Sequence, residues 1–273
     1  MMSLYARQEF EVPAANVTLV FTLFYVSEEV RLPSYKFVKG VNEIGGLGSV
    51  LGVDFSPHKV CSFNCMYCGV GPTTRKIIDR EEFYPVEDVF DEIRDHIEKN
   101  GEPDYVMLTG SGEPTLYSGF GRLAETIQEA FPNAKPTLYT NGSLFHHQDV
   151  RDQVSLCDLV MINLNAVDET VFRRICRPHR EVALGSMIDG IKQFRAQYTG
   201  PLWMDVVLVK GVNDSEEMLE RLMDTVMDIK PDLYRVRTVR QAVEGKVEPV
   251  SSEFGEHLKE KWENIPLEIA YAF

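Results

Sequence analysis

The chain has 273 residues, 44% of them hydrophobic and 26% charged, a composition that suits one globular core and excludes a disordered chain. Its 42 acidic residues against 28 basic give a net charge of −14, which repels nucleic acid and anionic membranes at long range. No apolar run reaches the roughly 18 residues of a membrane helix, and the opening stretch MMSLYARQEFEVP lacks the basic region and cleavage site of a signal peptide, so a cytoplasmic location without membrane contact is expected.

In chain order, VTLVFTLFYV (17–26) reads as a strand because it is short and β-branched. Residues 1–34 fit no β-then-α unit and are expected to be an extension, either an added strand or disordered, ahead of a barrel domain at 35–273. SVLGVDF (49–55) is the first strand of a repeating series. Val86, Val89, Phe90, Ile93 and Ile97 then fall at helical spacing between Pro85 and Gly101. YVMLTG (105–110) precedes a helix marked by Leu123, Ile127 and Phe131, and PTLYTNG (136–142) precedes a shorter one near 147–156. DLVMINLN (158–165) leads into helical stretches near 168–175 and 182–197. LWMDVVLV (202–209) leads into a helix with Leu219, Leu222, Met223 and Val226, capped from within Asn213–Ser215. LYRVRTV (233–239), a helix near 252–263 and an edge strand at LEIAYAF (267–273) complete the series.

Six successive β-then-α units with strands this apolar specify an α/β fold with a parallel sheet covered by helices. Six fall short of the eight that close a full barrel, so the expected fold is a partial (β/α)6 TIM-type barrel.

KVCSFNCMYCGVG (59–71) places Cys61, Cys65 and Cys68 within eight residues. Clustered thiols in a chain with five cysteines point to metal or redox chemistry rather than a disulfide framework. A closed zinc site needs four ligands, and the nearest spare one is His58. Three thiolates leave a coordination position open to an exogenous ligand. A non-catalytic zinc or iron–sulfur module is the competing reading.

CSFNCMYC resembles the C-x-x-x-C-x-aromatic-C signature of the radical S-adenosylmethionine (SAM) superfamily. The resemblance implies that Cys61, Cys65 and Cys68 hold a 4Fe-4S cluster whose free iron takes the amino and carboxylate groups of SAM, with Tyr67 near the adenine. TGSGEPTL (109–116) resembles the family's glycine-rich element, with Ser111 between Gly110 and Gly112. Glycine allows close backbone approach to a ligand, and Glu113 is a candidate for the SAM ammonium. Asn141 in YTNGSL, Asn163 and Asn165 in INLNA, and Lys210 in VLVKGVND are further candidates for SAM contact, each at a strand end. All lie at the C-terminal ends of predicted parallel strands, the face on which such folds build their sites.

More narrowly, LGVDFSPHKVCSFNCMYC, GSGEPT and LVKGVNDSEE resemble a prokaryotic wyosine-synthetase-related group of radical SAM proteins with a single cluster. The implied activity is that of an oxidoreductase that reductively cleaves SAM to a 5′-deoxyadenosyl radical. That radical abstracts hydrogen from a small-molecule or protein substrate, with ferredoxin or flavodoxin as reductant. A tRNA-modifying wyosine-type enzyme and a glycyl-radical activase are alternatives; the acidic charge disfavours nucleic acid. Cys157 reads as a buried apolar residue, whereas Cys176, among Arg173, Arg174, Arg177 and His179, is a candidate redox or hydrogen-donor residue. Arg235, Arg237 and Arg240 are candidates for an anionic substrate group.

Overall fold

Apolar residues at alternate strand positions, repeated between amphipathic helices, wind the chain into a curved sheet with helices outside. The computed structural model describes residues 7–11, 18–22, 35–44, 46–239 and 247–272. Strands β1 (Arg7–Glu11), β2 (Thr18–Thr22), β3 (Val38–Ile44) and β4 (Gly48–Asp54) come first. The cysteine loop follows, with two-residue strands β5 (Val60–Cys61) and β6 (Arg75–Lys76). Next are α1 (Val86–Asn100), β7 (Tyr105–Thr109), a 3-10 turn at Pro114–Leu116, α2 (Phe120–Ala130), β8 (Lys135–Thr140), α3 (Gln148–Val154) and β9 (Leu159–Asn163). The remaining elements are α4 (Glu169–Ile175), α5 (Leu184–Gln197), β10 (Leu202–Leu208), α6 (Glu216–Ile229), β11 (Leu233–Thr238), α7 (Ser252–Trp262) and β12 (Ile269–Ala272).

The main sheet runs β2-β1-β12-β11-β10-β9-β8-β7-β4-β3. From β4 through β12 every pairing is parallel, whereas β3 pairs antiparallel to β4 and β1 antiparallel to both β12 and β2. The sheet curls until β2 comes within 8 Å (Cα–Cα) of β3, without a ladder between them. This is the partial (β/α)6 barrel, with β12 as a seventh parallel strand. Its six predicted strands coincide with the observed ones to within two residues at either end. Strand β3 was not expected. Its mixed burial and the register shift at Val38/Gly40 erase a clean alternation, as befits a bulged edge strand. Most of residues 1–34, together with Arg240 and Phe273, lie outside the described residues.

Alternate strand residues face opposite ways. Leu51, Val53, Val106, Leu108, Leu138, Val160, Ile162, Val206 and Val236 pack outward against the helices in the large core. Val50, Met107, Leu159 and Met161 face inward and form a smaller apolar cluster with Ile44 and Leu47. Helix ends follow local chemistry. Ser215 caps α6 by accepting from Met218 N, Asp168 caps α4, and Ser251 caps α7. Asn213, the other cap candidate, is used elsewhere. Among the described residues, no helix is long and apolar enough to cross a membrane.

Helix α5 lies against the turn after β8 so closely that a Cβ on Gly190 would stand 2.4 Å from the Phe145 carbonyl carbon and 2.5 Å from His146 N. Helix propensity favours alanine over glycine by about 1 kcal/mol, but backbone overlap of this kind costs about 1–3 kcal/mol or more. Gly190→Ala is therefore expected to lower the melting temperature in thermal denaturation. A rise would show that propensity prevails over this contact.

Candidate functional site

The cysteine loop follows β4 and crosses the C-terminal mouth of the barrel. It is held from two sides by backbone hydrogen bonds. On one side is the glycine-rich turn after β7, where Glu113 N donates to Val60 O (3.1 Å) and Lys59 N to Ser111 O (3.2 Å). On the other is the segment after α4, with Asn64 N to Cys176 O (3.0 Å), Met66 N to Ile175 O (2.9 Å) and His179 N to Ser62 O (2.7 Å). Gly112 is required by the first contact, because a Cβ there would lie 1.8 Å from Val60 O. Its close backbone approach is thus to the cysteine strand of the same chain.

Glu113 is buried, and its carboxylate is occupied. Oε1 accepts from Thr115 N (3.0 Å), Thr115 Oγ1 (2.7 Å) and Thr140 Oγ1 (2.5 Å), while Oε2 accepts from Asn141 N (2.9 Å). Burial raises the carboxyl above its ordinary range while these donors pull it down. These bonds let Glu113 tie the glycine-rich turn to the end of β8. Ser111 N in turn donates to Asp54 Oδ1 (3.0 Å) at the end of β4. A Cβ on Gly110 would meet Ser56 Oγ at 2.1 Å.

All five cysteines are free thiols, and Cys61, Cys65 and Cys68 are partly exposed. Donors already point at two of these sulfurs. Phe63 N (3.4 Å) and Asn141 Nδ2 (3.8 Å) face Cys61 Sγ, and Lys59 Nζ lies 3.1 Å from Cys68 Sγ. Lys59 is buried and holds a left-handed φ of 57°, a strained conformation for a side-chain-bearing residue, fixed by bonds from Thr74 N and Arg75 N to its carbonyl. Burial, with the Glu113 charge behind it, pushes the Cys61 thiol up to about 12. The Cys65 thiol is raised by its hydrogen bond with Cys176 and then by burial. Metal loading of the free thiols must therefore release protons.

The donor set fits an iron–sulfur cluster better than a zinc ion. Among the described residues, no three His, Cys, Asp or Glu side chains converge on a single-ion position. N–H donors to the sulfurs are part of how a protein tunes an iron–sulfur cluster, and Cys61 and Cys68 both have them.

The other predicted residues divide. Tyr67 and Asn165 meet: Asn165 Nδ2 donates to Tyr67 OH (2.6 Å), and Asn165 Oδ1 accepts from Val207 N (2.8 Å). Asn141 also donates to Ser62 Oγ (2.9 Å), which brings it beside the cysteine loop. Asn163 lies deeper in the lumen, donating to Tyr139 OH (2.9 Å). Lys210 is not brought to the site, since it is exposed and its Nζ pairs with Glu248 (3.0 Å). Cys157 is buried, and burial raises its thiol, as befits a core residue. Cys176 is buried too, but its neighbours are Cys65 and Asn165. Arg173 and Arg174 point to solvent, and Arg173 pairs with Glu169.

Three residues were not read as part of the site in the sequence. Lys59 gave no signal beyond standing two places before Cys61. Asn213 is fully buried, donating to Asn165 O (2.9 Å) and Val207 O (3.0 Å) and accepting from Val209 N (2.8 Å), so it joins β9 and β10 at the mouth. Asp205, a lone acid in an apolar strand, was legible as an anomaly. It receives Arg235 through Nε (2.5 Å) and a second nitrogen (2.7 Å).

Glu113→Gln puts an amide NH2 toward one of these four donors, and an unmet buried donor costs about 1–3 kcal/mol. Chemical denaturation should show a loss of stability in that range, and an unchanged stability would remove Glu113 from the bracing role.

Residues 55–223 match the radical SAM superfamily. A UPF0026 protein of Methanocaldococcus jannaschii is 32% identical over 206 residues, 74% of this chain and 64% of that protein. A protein named GTPase Obg from Brachyspira hyodysenteriae is 34% identical over 225 residues, 82% of this chain and 33% of that one. The chain thus spans between one third and just under two thirds of the length of these two relatives. Among solved structures, TYW1 with a lysine-pyruvate adduct bound shares the fold, with a TM-score of 0.59 at 19% identity over 79% of this chain and 73% of that one. With a family match over more than half its length, the chain belongs to the radical SAM superfamily, whose cofactors are a 4Fe-4S cluster and S-adenosylmethionine.

Proposed function

We propose that the chain is an oxidoreductase in which Cys61, Cys65 and Cys68 hold the cluster and the surrounding strand ends hold SAM. The observation that carries this reading is the set of donors aimed at sulfur, Lys59 on Cys68 and Phe63 N with Asn141 on Cys61. When bound, the cluster and SAM supply a 5′-deoxyadenosyl radical that abstracts hydrogen from the substrate. The residues of the chain bind and orient. Tyr67, Asn141 and Asn165 line the mouth beside the loop, and Gly110, Ser111 and Gly112 offer backbone groups there. Glu113 fixes that turn from behind. The apolar lower lumen of Val50, Met107, Leu159 and Met161 excludes water from below. A reductant such as ferredoxin or flavodoxin is the proposed electron source, and a small molecule or a protein the proposed substrate class.

Two measurements test this reading. Protein reconstituted anaerobically with iron and sulfide should be brown and, with dithionite and SAM, release 5′-deoxyadenosine. Cys65→Ala should abolish that product, whereas a colourless protein holding one zinc would overturn the reading. In a redox titration followed by electron paramagnetic resonance, Lys59→Met should shift the cluster midpoint to a more negative value. The lost donor stabilises the extra electron, so an unchanged midpoint would remove Lys59 from this role.

A further inference from the structure

The barrel lumen carries a second polar group below the tier of Tyr67 and Asn165. Tyr139, Asn163, Asp205, Arg235 and Arg237 project into it from four neighbouring strands, β8 to β11. Asp205 is engaged by Arg235 through two bonds, and Arg235 in turn stands 5.3 Å from the Trp203 ring. Arg237 therefore meets the edge of that carboxylate, at 3.3 Å, and donates to the Tyr139 hydroxyl. Burial raises the Tyr139 phenol, so it remains a neutral partner and does not balance the guanidinium charge.

Two buried atoms in this group have no hydrogen-bond partner among the described residues: Arg237 Nε and Asn163 Oδ1. Arg237 is 15% exposed and Asn163 8%, so neither is readily hydrated from the bulk. Both residues converge on one oxygen, since Arg237 and Asn163 each donate to Tyr139 OH. That hydroxyl must still place its own proton. Turning the Asn163 amide over lets Oδ1 accept it and leaves Nδ2 aimed into the lumen. In either orientation one polar atom of Asn163 is unmet. In the turned orientation, Asn163 and Arg237 each keep an unmet N–H donor beside the Tyr139 hydroxyl that both contact.

We propose that Arg237 and Asn163, with Tyr139 between them, form a subsite for the oxyanion group of a small anionic substrate. This rests on the reading of the mouth above as the radical-generating site. The group bound is a carboxylate or a phosphate, the acceptors that match a guanidinium fork. A small molecule suits the position, because the subsite is enclosed by strands and the chain's net charge of −14 repels polyanions. Asp205 and Arg235 are positioning residues: their pair holds β10 to β11 and keeps the Arg237 stem in register.

The test is calorimetric titration of the anaerobically reconstituted full chain with inorganic phosphate and with acetate, at ionic strength held constant with chloride. Each titration is run with and without S-adenosylhomocysteine. Saturable binding of at least one anion is expected, and it persists with S-adenosylhomocysteine present. Arg237→Gln should weaken it about tenfold or more, the loss of a charged hydrogen bond, and Arg237→Lys should restore part of it. The tighter of the two anions identifies the group as phosphate or carboxylate. Asn163→Ala carries the same test if Arg237→Gln does not fold. Absence of saturable heat, equal binding in both variants, or loss of binding once S-adenosylhomocysteine is added would each overturn the proposal; the last would mean that the carboxylate of the cofactor fills the subsite. The titrations do not use deoxyadenosine formation, so a failed radical reaction and a failed subsite are read separately.

Discussion

One backbone oxygen, the carbonyl of Val60, holds the mouth of this barrel together. It accepts the Glu113 amide, and it lies where the Cβ of any residue but glycine at 112 would have to sit. Through it the turn after β7 and the strand leading to Cys61 become one unit. Glu113, the next residue, fixes that unit to β8 with a buried carboxylate whose desolvation is offset by four donors. Three strand ends are thereby referenced to the cysteine loop before any cofactor is present. The function proposed for this site would need such pre-set geometry, because misplacement of reacting groups by about 1 Å costs rate steeply.

The lumen is layered in polarity. Its floor is apolar, with Ile44, Leu47, Val50, Met107, Leu159 and Met161. Above it lie the buried ion pair of Asp205 and Arg235 and the partly satisfied Arg237 and Asn163. The mouth carries Asn165, Tyr67 and the thiols. The apolar floor closes the lower end of the lumen beneath these polar tiers. Burying an ion pair is seldom a net gain in stability, so the Asp205–Arg235 pair is better explained by what it positions than by what it contributes to folding.

Much of this was legible in the sequence, for definite reasons. The strands were visible because parallel strands covered on one face by helices and on the other by lumen residues leave long apolar runs, as in YVMLTG and DLVMINLN. The cysteine loop was visible because its chemistry is local. What escaped depends on partners distant in sequence. Lys59 matters through Cys68 and through a left-handed backbone that no propensity announces. Asn213 resembles a helix cap but is spent between β9 and β10. Gly112 reads in the sequence as a place of close approach to a ligand; in the fold the group that approaches it is the Val60 carbonyl. Lys210 stands at a strand end as expected, but the adjacent Glu248 draws it to the surface. Cys176 illustrates the same limit: its arginine neighbours in sequence turn away, and the thiol it meets is more than a hundred residues earlier.

The pairing of β1 with β12 has a bearing on how the chain reaches this state. Every parallel pairing from β4 to β12 joins strands formed one after another, so the barrel can assemble in the order of synthesis. The hairpin β1–β2 is the exception, because its partner is the final strand. Contacts of such long sequence separation carry a large loop-closure cost and form late. During synthesis the hairpin waits with one edge open, exposed to wrong pairing. Strand β12 thus covers two edges at once, that of β11 and that of β1.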